Sequence, residues 1–107
     1  RTTFTVRNEV IREVFYGDCS EEDVARAKQL LTPEPAGPSS SPVATSPDNF
    51  GRVPRVYIEC LRDSAIPLGA QREMYTTLPC REVISMDTSH SPFFSAPEEL
   101  VKHLISL

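Results

Sequence analysis

The sequence is poor in glycine, with only four, at positions 17, 37, 51 and 69. None of them forms a Gly-Xaa-Ser-Xaa-Gly pattern, so these residues contain no nucleophile elbow of the kind that presents a reactive serine. The chain also lacks a run of about 18 apolar residues, and no membrane-spanning helix is predicted. Lys and Arg are not clustered and the net charge is −4, which excludes the basic surface typical of nucleic-acid binding.

Cysteine is scarce as well. Cys19, Cys60 and Cys80 are widely spaced and form no Cys-Xaa-Xaa-Cys pair. An odd number at this spacing is typical neither of a disulfide scaffold nor of a zinc site. We expect three structural thiols in a reducing, cytoplasmic setting, and no metal or other cofactor.

The first third of the chain predicts two helices. Apolar residues between positions 6 and 15 recur three to five apart, which favours one face of a helix that ends before Gly17. Ser20 is a typical N-cap, and the three carboxylates that follow it suit the positive end of a helix. We therefore expect a second helix over about residues 21–31.

The segment 32–48 is rich in proline and serine. This composition disfavours a helix and pairs poorly in a sheet. We expect an extended connection, either a plain linker or a cap segment that lies over a pocket.

The second half alternates between strand and helix patterns. A short β-branched run at 56–61 predicts a buried parallel strand, and a helix from Pro67 to about Leu78 follows it. A second strand at 82–86 and a helix that starts at Pro97 complete the order. These elements predict an α/β fold with parallel strands, divided into a helical cap remnant over 1–48 and a core portion over 49–107.

Two chemically useful residues follow the two predicted strands. Asp63 comes at the end of the first strand and His90 in the loop after the second. Because neighbouring parallel strands lie about 4.8 Å apart, side chains beyond their carboxyl ends can meet there. A carboxylate that orients an imidazole, which in turn takes a proton from a serine, is the acid–base half of a hydrolytic triad.

Each of these residues also has a structural interpretation. Asp63 alone suits a turn or a helix cap before Pro67, and a loop histidine such as His90 is often structural. Asp87 is a lesser candidate for the acid because it falls in the same turn as the histidine. His103, on the last helix, is expected at the surface.

The length supports a partial fold. Single α/β enzyme domains often reach about 200–250 residues, whereas this chain has 107 and begins with Arg. In α/β-hydrolases the nucleophile precedes the acid and the base in the chain. We therefore interpret the chain as a fragment and expect the nucleophile before Arg1.

At these residues the sequence resembles the α/β-hydrolases that include plant methylesterases and hydroxynitrile lyases. The resemblance covers nearly the whole chain and corresponds to the C-terminal portion of that fold. Its matching segments are residues 19–23 before a cap helix, 50–58, 63–67 with Gln71-Arg72, and 90–94 before Pro97.

The resemblance implies roles for individual residues. Asp63 and His90 take the positions of the triad acid and base, and Ala36 and Ser91 are expected at the substrate pocket. Many members carry a Gly-Asp or Ala-Asp pair where this chain has Thr88-Ser89. The hydroxynitrile lyases have a Lys directly after the histidine, where this chain has Ser91, so ester hydrolysis is favoured over cyanohydrin cleavage.

The sequence thus predicts the C-terminal part of a serine carboxylic-ester hydrolase that acts on a small ester. Its expected partners are that substrate and the N-terminal part of the same enzyme, with a homodimer as a further expectation and neither nucleic acid nor a membrane. Two alternatives stay open: a non-catalytic interaction or complementation module, and a lyase or thioesterase on the same scaffold.

Overall fold

The computed structural model describes residues 2–107. Twelve short elements alternate along this part of the chain, ten of them strands or α-helices and two of them 3₁₀ turns. In chain order they are β1 (Thr3–Phe4), a 3₁₀ turn (Asn8–Val10), α1 (Ile11–Phe15), α2 (Glu21–Leu30), β2 (Glu34–Pro35), α3 (Ala36–Ser40), a second 3₁₀ turn (Phe50–Arg52), β3 (Val56–Cys60), α4 (Leu68–Thr77), β4 (Glu82–Met86), α5 (Pro92–Ser95) and α6 (Pro97–Ile105).

The second predicted helix forms as α2, and its capping signal has the expected structure. The Ser20 hydroxyl accepts a hydrogen bond from the backbone N–H of Asp23 at 3.1 Å. This bond satisfies one of the N–H groups that a helix start leaves without a partner. Val24 and Ala27, one turn apart, face inward and are buried.

The first predicted helix is shorter than the pattern indicated. Residues 6 and 7 are not helical, and the helical segment begins with a 3₁₀ turn at Asn8 before α1. Arg7 is extended, with φ −60° and ψ 132°. Just before these residues, Thr3 and Phe4 pair with β2, so the chain reaches Val6 from an extended segment and becomes helical only after Arg7.

The expectation that segment 32–48 forms no helix or sheet is wrong for residues 34–40. β2 pairs antiparallel with β1, and α3 follows it at once. The pairing is only two residues long, so a proline is tolerated in it. Pro38 falls in the first turn of α3, where a backbone N–H has no helical partner to lose. Residues 42–46 contain no helix or strand.

The predicted α/β unit is confirmed. β3 and β4 pair in parallel, from Val56 opposite Glu82 to Cys60 opposite Met86. α4 connects them and packs on β3. The two loops that follow the strands therefore emerge at the same edge of the sheet, which is what brings the candidate site together.

Burial is concentrated where the helical first part meets the loop after β4. The buried cluster there is formed by Ile11, Tyr16, Cys19, Val24 and Ala27, with Val6, Phe15 and Phe94 packed against it. By contrast, the apolar face of α6 is largely exposed at Val101, Leu104 and Ile105. No helix within residues 2–107 is both long and apolar enough to cross a membrane. The division into 1–48 and 49–107 stays a prediction.

Candidate active site

The two predicted acid–base residues are in direct contact. His90 Nδ1 lies 2.8 Å from Asp63 Oδ2. The Asp63 side chain is 5% exposed and that of His90 is 32% exposed, so the carboxylate is buried while part of the imidazole stays accessible. A carboxylate only accepts hydrogen bonds, and the bond therefore places a proton on Nδ1 and leaves Nε2 free to take one from another group.

The second carboxylate oxygen of Asp63 holds its own turn. Oδ1 accepts hydrogen bonds from the backbone N–H groups of Ala65, at 2.7 Å, and Ile66, at 2.8 Å. Asp63 is thus the turn residue that the structural interpretation expected and the partner of His90 at the same time. Because each oxygen has its own partners, the carboxylate is fixed in orientation before it meets the imidazole.

The side chain of Gln71 connects the two ends of the same loop. The Gln71 amide accepts a hydrogen bond from the Cys60 N–H and donates to the carbonyls of Cys60 and Ile66, all within 2.8–2.9 Å. The resemblance included Gln71, but nothing in the sequence indicated this role. Its side chain spans the loop that carries Asp63 from one end to the other.

His90 opens onto a cavity of about 470 Å³. Its imidazole packs against the Phe15 ring, with the ring centroids 5.4 Å apart. Ser91 lies in the wall beside it. The rest of the lining is more apolar than polar. It includes the apolar residues Phe4, Val6, Ile11, Leu31, Pro33 and Phe93, and two charged residues, Lys28 and Glu34.

The two predicted pocket residues have different positions. Ser91 is buried and lines the His90 cavity, but its hydroxyl donates to the Phe15 carbonyl at 2.8 Å. Ala36 lines a separate cavity with Thr2, Pro35, Gly37, Pro38 and Ser40, so the structure does not bring it to His90. Contact with a substrate stays a prediction for both residues.

The lesser candidates have other partners. The Asp87 carboxylate is exposed and pairs with Arg62 Nε at 2.9 Å. His103 pairs with Glu99 at 3.3 Å on the exposed side of α6. Cys19 and Cys60 are buried and Cys80 is partly exposed, and all three are free thiols. Within residues 2–107 no three His, Cys, Asp or Glu side chains are grouped so as to hold a metal ion.

Asp18 binds the residue before His90, a role that the sequence did not predict. Its carboxylate accepts hydrogen bonds from both the backbone N–H and the hydroxyl of Ser89, and Arg62 Nη2 lies 3.5 Å away. Burial raises the pKa of Asp18 more than any single hydrogen bond lowers it, but its hydrogen bonds together, chiefly those from Ser89 and the Ser95 hydroxyl, outweigh burial and hold that pKa below its ordinary value. Nothing in the sequence connects the two residues, because the contact forms only when the first helices pack against the loop after β4.

Curated proteins of similar sequence are esterases and hydrolases. A pyrethroid hydrolase of Sphingobium wenxiniae is 38% identical over 100 residues, which is 90% of this chain and 34% of that protein. Methylesterase 7 of Arabidopsis thaliana is 33% identical over 86 residues, which is 79% of this chain and 33% of that protein. The chain therefore spans about a third of the length of these relatives. No family model matches.

Solved structures agree with this relationship. A methylesterase from Arabidopsis superposes with a TM-score of 0.85 at 29% identity, and the match covers 98% of this chain and 45% of that one. A pyrethroid hydrolase from Sphingobium faniae gives a TM-score of 0.77 at 33% identity, with 94% and 40% covered. The chain is thus a homologue of methylesterases and pyrethroid hydrolase, and its fold matches the C-terminal portion of the α/β-hydrolase fold.

Proposed function

We propose that this chain supplies the acid and the base of a serine carboxylic-ester hydrolase, with Asp63 as the acid and His90 as the base. The observation that carries the proposal is the 2.8 Å contact between His90 Nδ1 and the buried carboxylate of Asp63. It leaves Nε2 free, and the His90 side chain is partly exposed, so a serine hydroxyl could give up its proton there.

The nucleophilic serine is proposed to come from outside residues 1–107. The serines that flank His90 are already committed to other partners. Ser89 donates its hydroxyl to Asp18, and Ser91 donates its hydroxyl to the Phe15 carbonyl. The curated relatives are about three times as long as their match to this chain, which leaves room in such a fold for a preceding nucleophile.

The reaction would proceed in two halves. In the first, His90 takes the serine proton as the serine attacks the ester carbonyl, and then gives it to the departing alcohol, which leaves an acyl-enzyme. In the second, His90 takes a proton from water, which attacks the acyl group, and the acid is released as the serine regains its proton. Asp63 stabilises the imidazolium in both halves and keeps Nε2 directed at the reacting groups.

Ester hydrolysis is favoured over cyanohydrin cleavage by the residue after the base. Ser91 is neutral and buried, and its hydroxyl is bound to a backbone carbonyl. It therefore places no positive charge beside His90 to hold a cyanide leaving group. The lining of the cavity, which is more apolar than polar, suits a neutral small ester.

The test is the replacement His90→Ala in the full-length protein that contains residues 1–107. We expect hydrolysis of a panel of small esters to fall by about a thousandfold or more. His103→Ala is the matched control, because it removes the other histidine, which lies on α6 and pairs with Glu99, and it should leave turnover unchanged. Full turnover by His90→Ala would contradict the proposal.

A further inference from the structure

The residues on both sides of His90 are tied to one short piece of chain, residues 15–18, which we call the clamp segment. On one side, Ser91 Oγ donates to the Phe15 carbonyl at 2.8 Å. On the other side, the Ser89 N–H donates to Asp18 Oδ2 at 3.0 Å and the Ser89 hydroxyl donates to Asp18 Oδ1. The residues directly before and after His90 are therefore both hydrogen-bonded to the clamp segment, which begins at the last residue of α1.

These bonds lie in a poorly solvated environment. Ser89 and Ser91 are both buried, and the Asp18 side chain is only 15% exposed. The Phe15 ring packs against the His90 imidazole at an interplanar angle of 60°. Hydrogen bonds to a partly buried carboxylate are stronger than those between neutral groups. Removal of the Asp18 carboxylate would leave the buried Ser89 hydroxyl without a hydrogen-bond acceptor.

The loop after β4 is also bound to Arg62, in the loop that carries Asp63, but those contacts do not hold Ser89 or the residues after it. The Arg62 N–H donates to the Thr88 carbonyl at 2.9 Å, and the Arg62 guanidinium binds the Asp87 side chain and carbonyl. Both contacts precede Ser89. Between Thr88 and α5, the backbone of the loop is held by the bonds of Ser89 and Ser91 to the clamp segment.

We propose that Asp18 is a positioning residue that holds His90 against Asp63 through Ser89. The inference rests on the proposed function, because it gives the helical first part of the chain a direct effect on the base. Asp18 touches no reacting atom. Its effect passes through the backbone of residue 89, which sets where the imidazole of the next residue projects. A shift of about 1 Å in a catalytic group is enough to lower turnover by about a hundredfold.

The kinetic test uses Asp18→Ala and Ser89→Ala in the full-length protein that contains residues 1–107. We expect Asp18→Ala to lower kcat by about tenfold or more while KM changes by less than about threefold. The double variant should be little worse than Asp18→Ala alone, because without Asp18 the Ser89 hydroxyl has no carboxylate to bind. Asp87→Ala is the matched control: it removes another carboxylate bound to Arg62 but leaves Ser89 bound, and kcat should not change.

A spectroscopic test needs no substrate. The Nδ1 proton of His90, shared with Asp63, should give a downfield ¹H signal that is present in the parent protein and in Asp87→Ala. In Asp18→Ala that signal should be weakened or shifted, since the imidazole no longer lies at hydrogen-bond distance from Asp63. If Asp18→Ala does not fold, Ser89→Ala decides. It keeps the backbone bond to Asp18 and loses the hydroxyl bond, so the same changes in kcat and in the Nδ1 signal should appear at smaller size, and their absence would overturn the positioning role.

The outcomes separate this inference from the proposed function. Unchanged kcat and an unchanged Nδ1 signal in the folded variants would overturn the positioning role, even if His90→Ala abolishes hydrolysis. If the parent protein hydrolyses no ester, the proposed function fails, and the Nδ1 signal still decides whether Asp18 holds His90 in place. A lower melting temperature with full kcat and an unaltered signal would show that Asp18 only stabilises the fold.

Discussion

Gln71, in the first turn of α4, pairs with both backbone groups of Cys60, the last residue of β3. Its side-chain oxygen accepts from the Cys60 N–H, and its NH₂ group donates to the Cys60 carbonyl, both at 2.9 Å. A side chain here takes the place that a neighbouring strand would occupy. The same amide also binds the Ile66 carbonyl, so it fixes the loop in which Asp63 lies.

This pairing predicts that Gln71→Leu is strongly destabilising. Leucine is similar in size but leaves the Cys60 and Ile66 backbone groups without their partner in a site that is 2% exposed at Gln71. The free energy of unfolding should fall by about 2–4 kcal/mol, measured by urea denaturation. Glu73→Leu, on the exposed side of the same helix, should change it by less than about 0.5 kcal/mol. Equal effects at the two positions would show that the amide contacts contribute little.

Asp63→Asn should separate turnover from folding. The asparagine oxygen can still accept from the Ala65 and Ile66 N–H groups, so the turn is retained. Its NH₂ group would then face His90 Nδ1, which forces Nδ1 to accept and moves the proton to Nε2. We expect kcat of the full-length protein to fall by about a thousandfold or more, with little change in melting temperature.

Asp87→Asn is the control for that experiment, since Asp87 is close to His90 in sequence but pairs with Arg62. It should retain turnover. If Asp87→Asn were the inactive variant and Asp63→Asn the active one, the acid would be assigned to the wrong residue.

We expect the ionised Glu59 carboxylate to stabilise the folded protein, and this stabilisation to be lost at acidic pH. The Ser85 hydroxyl, 2.5 Å from Oε2, lowers the pKa of Glu59, and this effect, with bonds from Tyr75 and Arg72, exceeds the opposing effect of burial. Because the pKa is lower in the folded state, the stabilisation is present above the ordinary value of 4.5 and is lost as the pH falls through the folded value.

We therefore expect Glu59→Gln to be less stable than the parent protein at about pH 7, and this difference to be smaller at about pH 3. Urea denaturation at both pH values measures the difference. Glu73→Gln, an exposed carboxylate on α4, should show no such convergence. A difference that stays constant with pH would mean that the charge of Glu59 is not what stabilises the fold.

The three thiols should differ in reactivity. Burial raises the pKa of Cys19 to about 11, and the neighbouring Asp18 carboxylate adds to that effect. Burial also raises the pKa of Cys60. Since the thiolate is the reactive form, iodoacetamide at neutral pH should label Cys80 first and the other two only in denaturant, as peptide mass mapping can show. Rapid labelling of Cys19 in the native protein would contradict the packing of the first helices.

Local signals in the sequence were sufficient to predict the helices and strands that have a clear capping residue or a β-branched run. Ser20 and the carboxylates after it gave the start of α2, and β-branched residues bounded by Pro54 and Asp63 gave β3. Parallel pairing then followed from the order of strand and helix. Asp63 and His90 could be predicted as neighbours for the same reason, because the loops after adjacent parallel strands emerge at one edge.

Contacts between distant segments were not predictable in this way. The two-residue pairing of β1 with β2 was one of them, because its partners lie far apart in the chain and no local spacing indicates them. The hydrogen bonds of Gln71 and Asp18 were not predictable for the same reason. The partner of a polar side chain is set by which polar group is buried beside it in the folded protein. The sequence by itself determined the α/β order and the proximity of Asp63 and His90. Only the tertiary structure decided that Asp18 and Phe15 hold the loop of His90, because those bonds exist only after the helices pack.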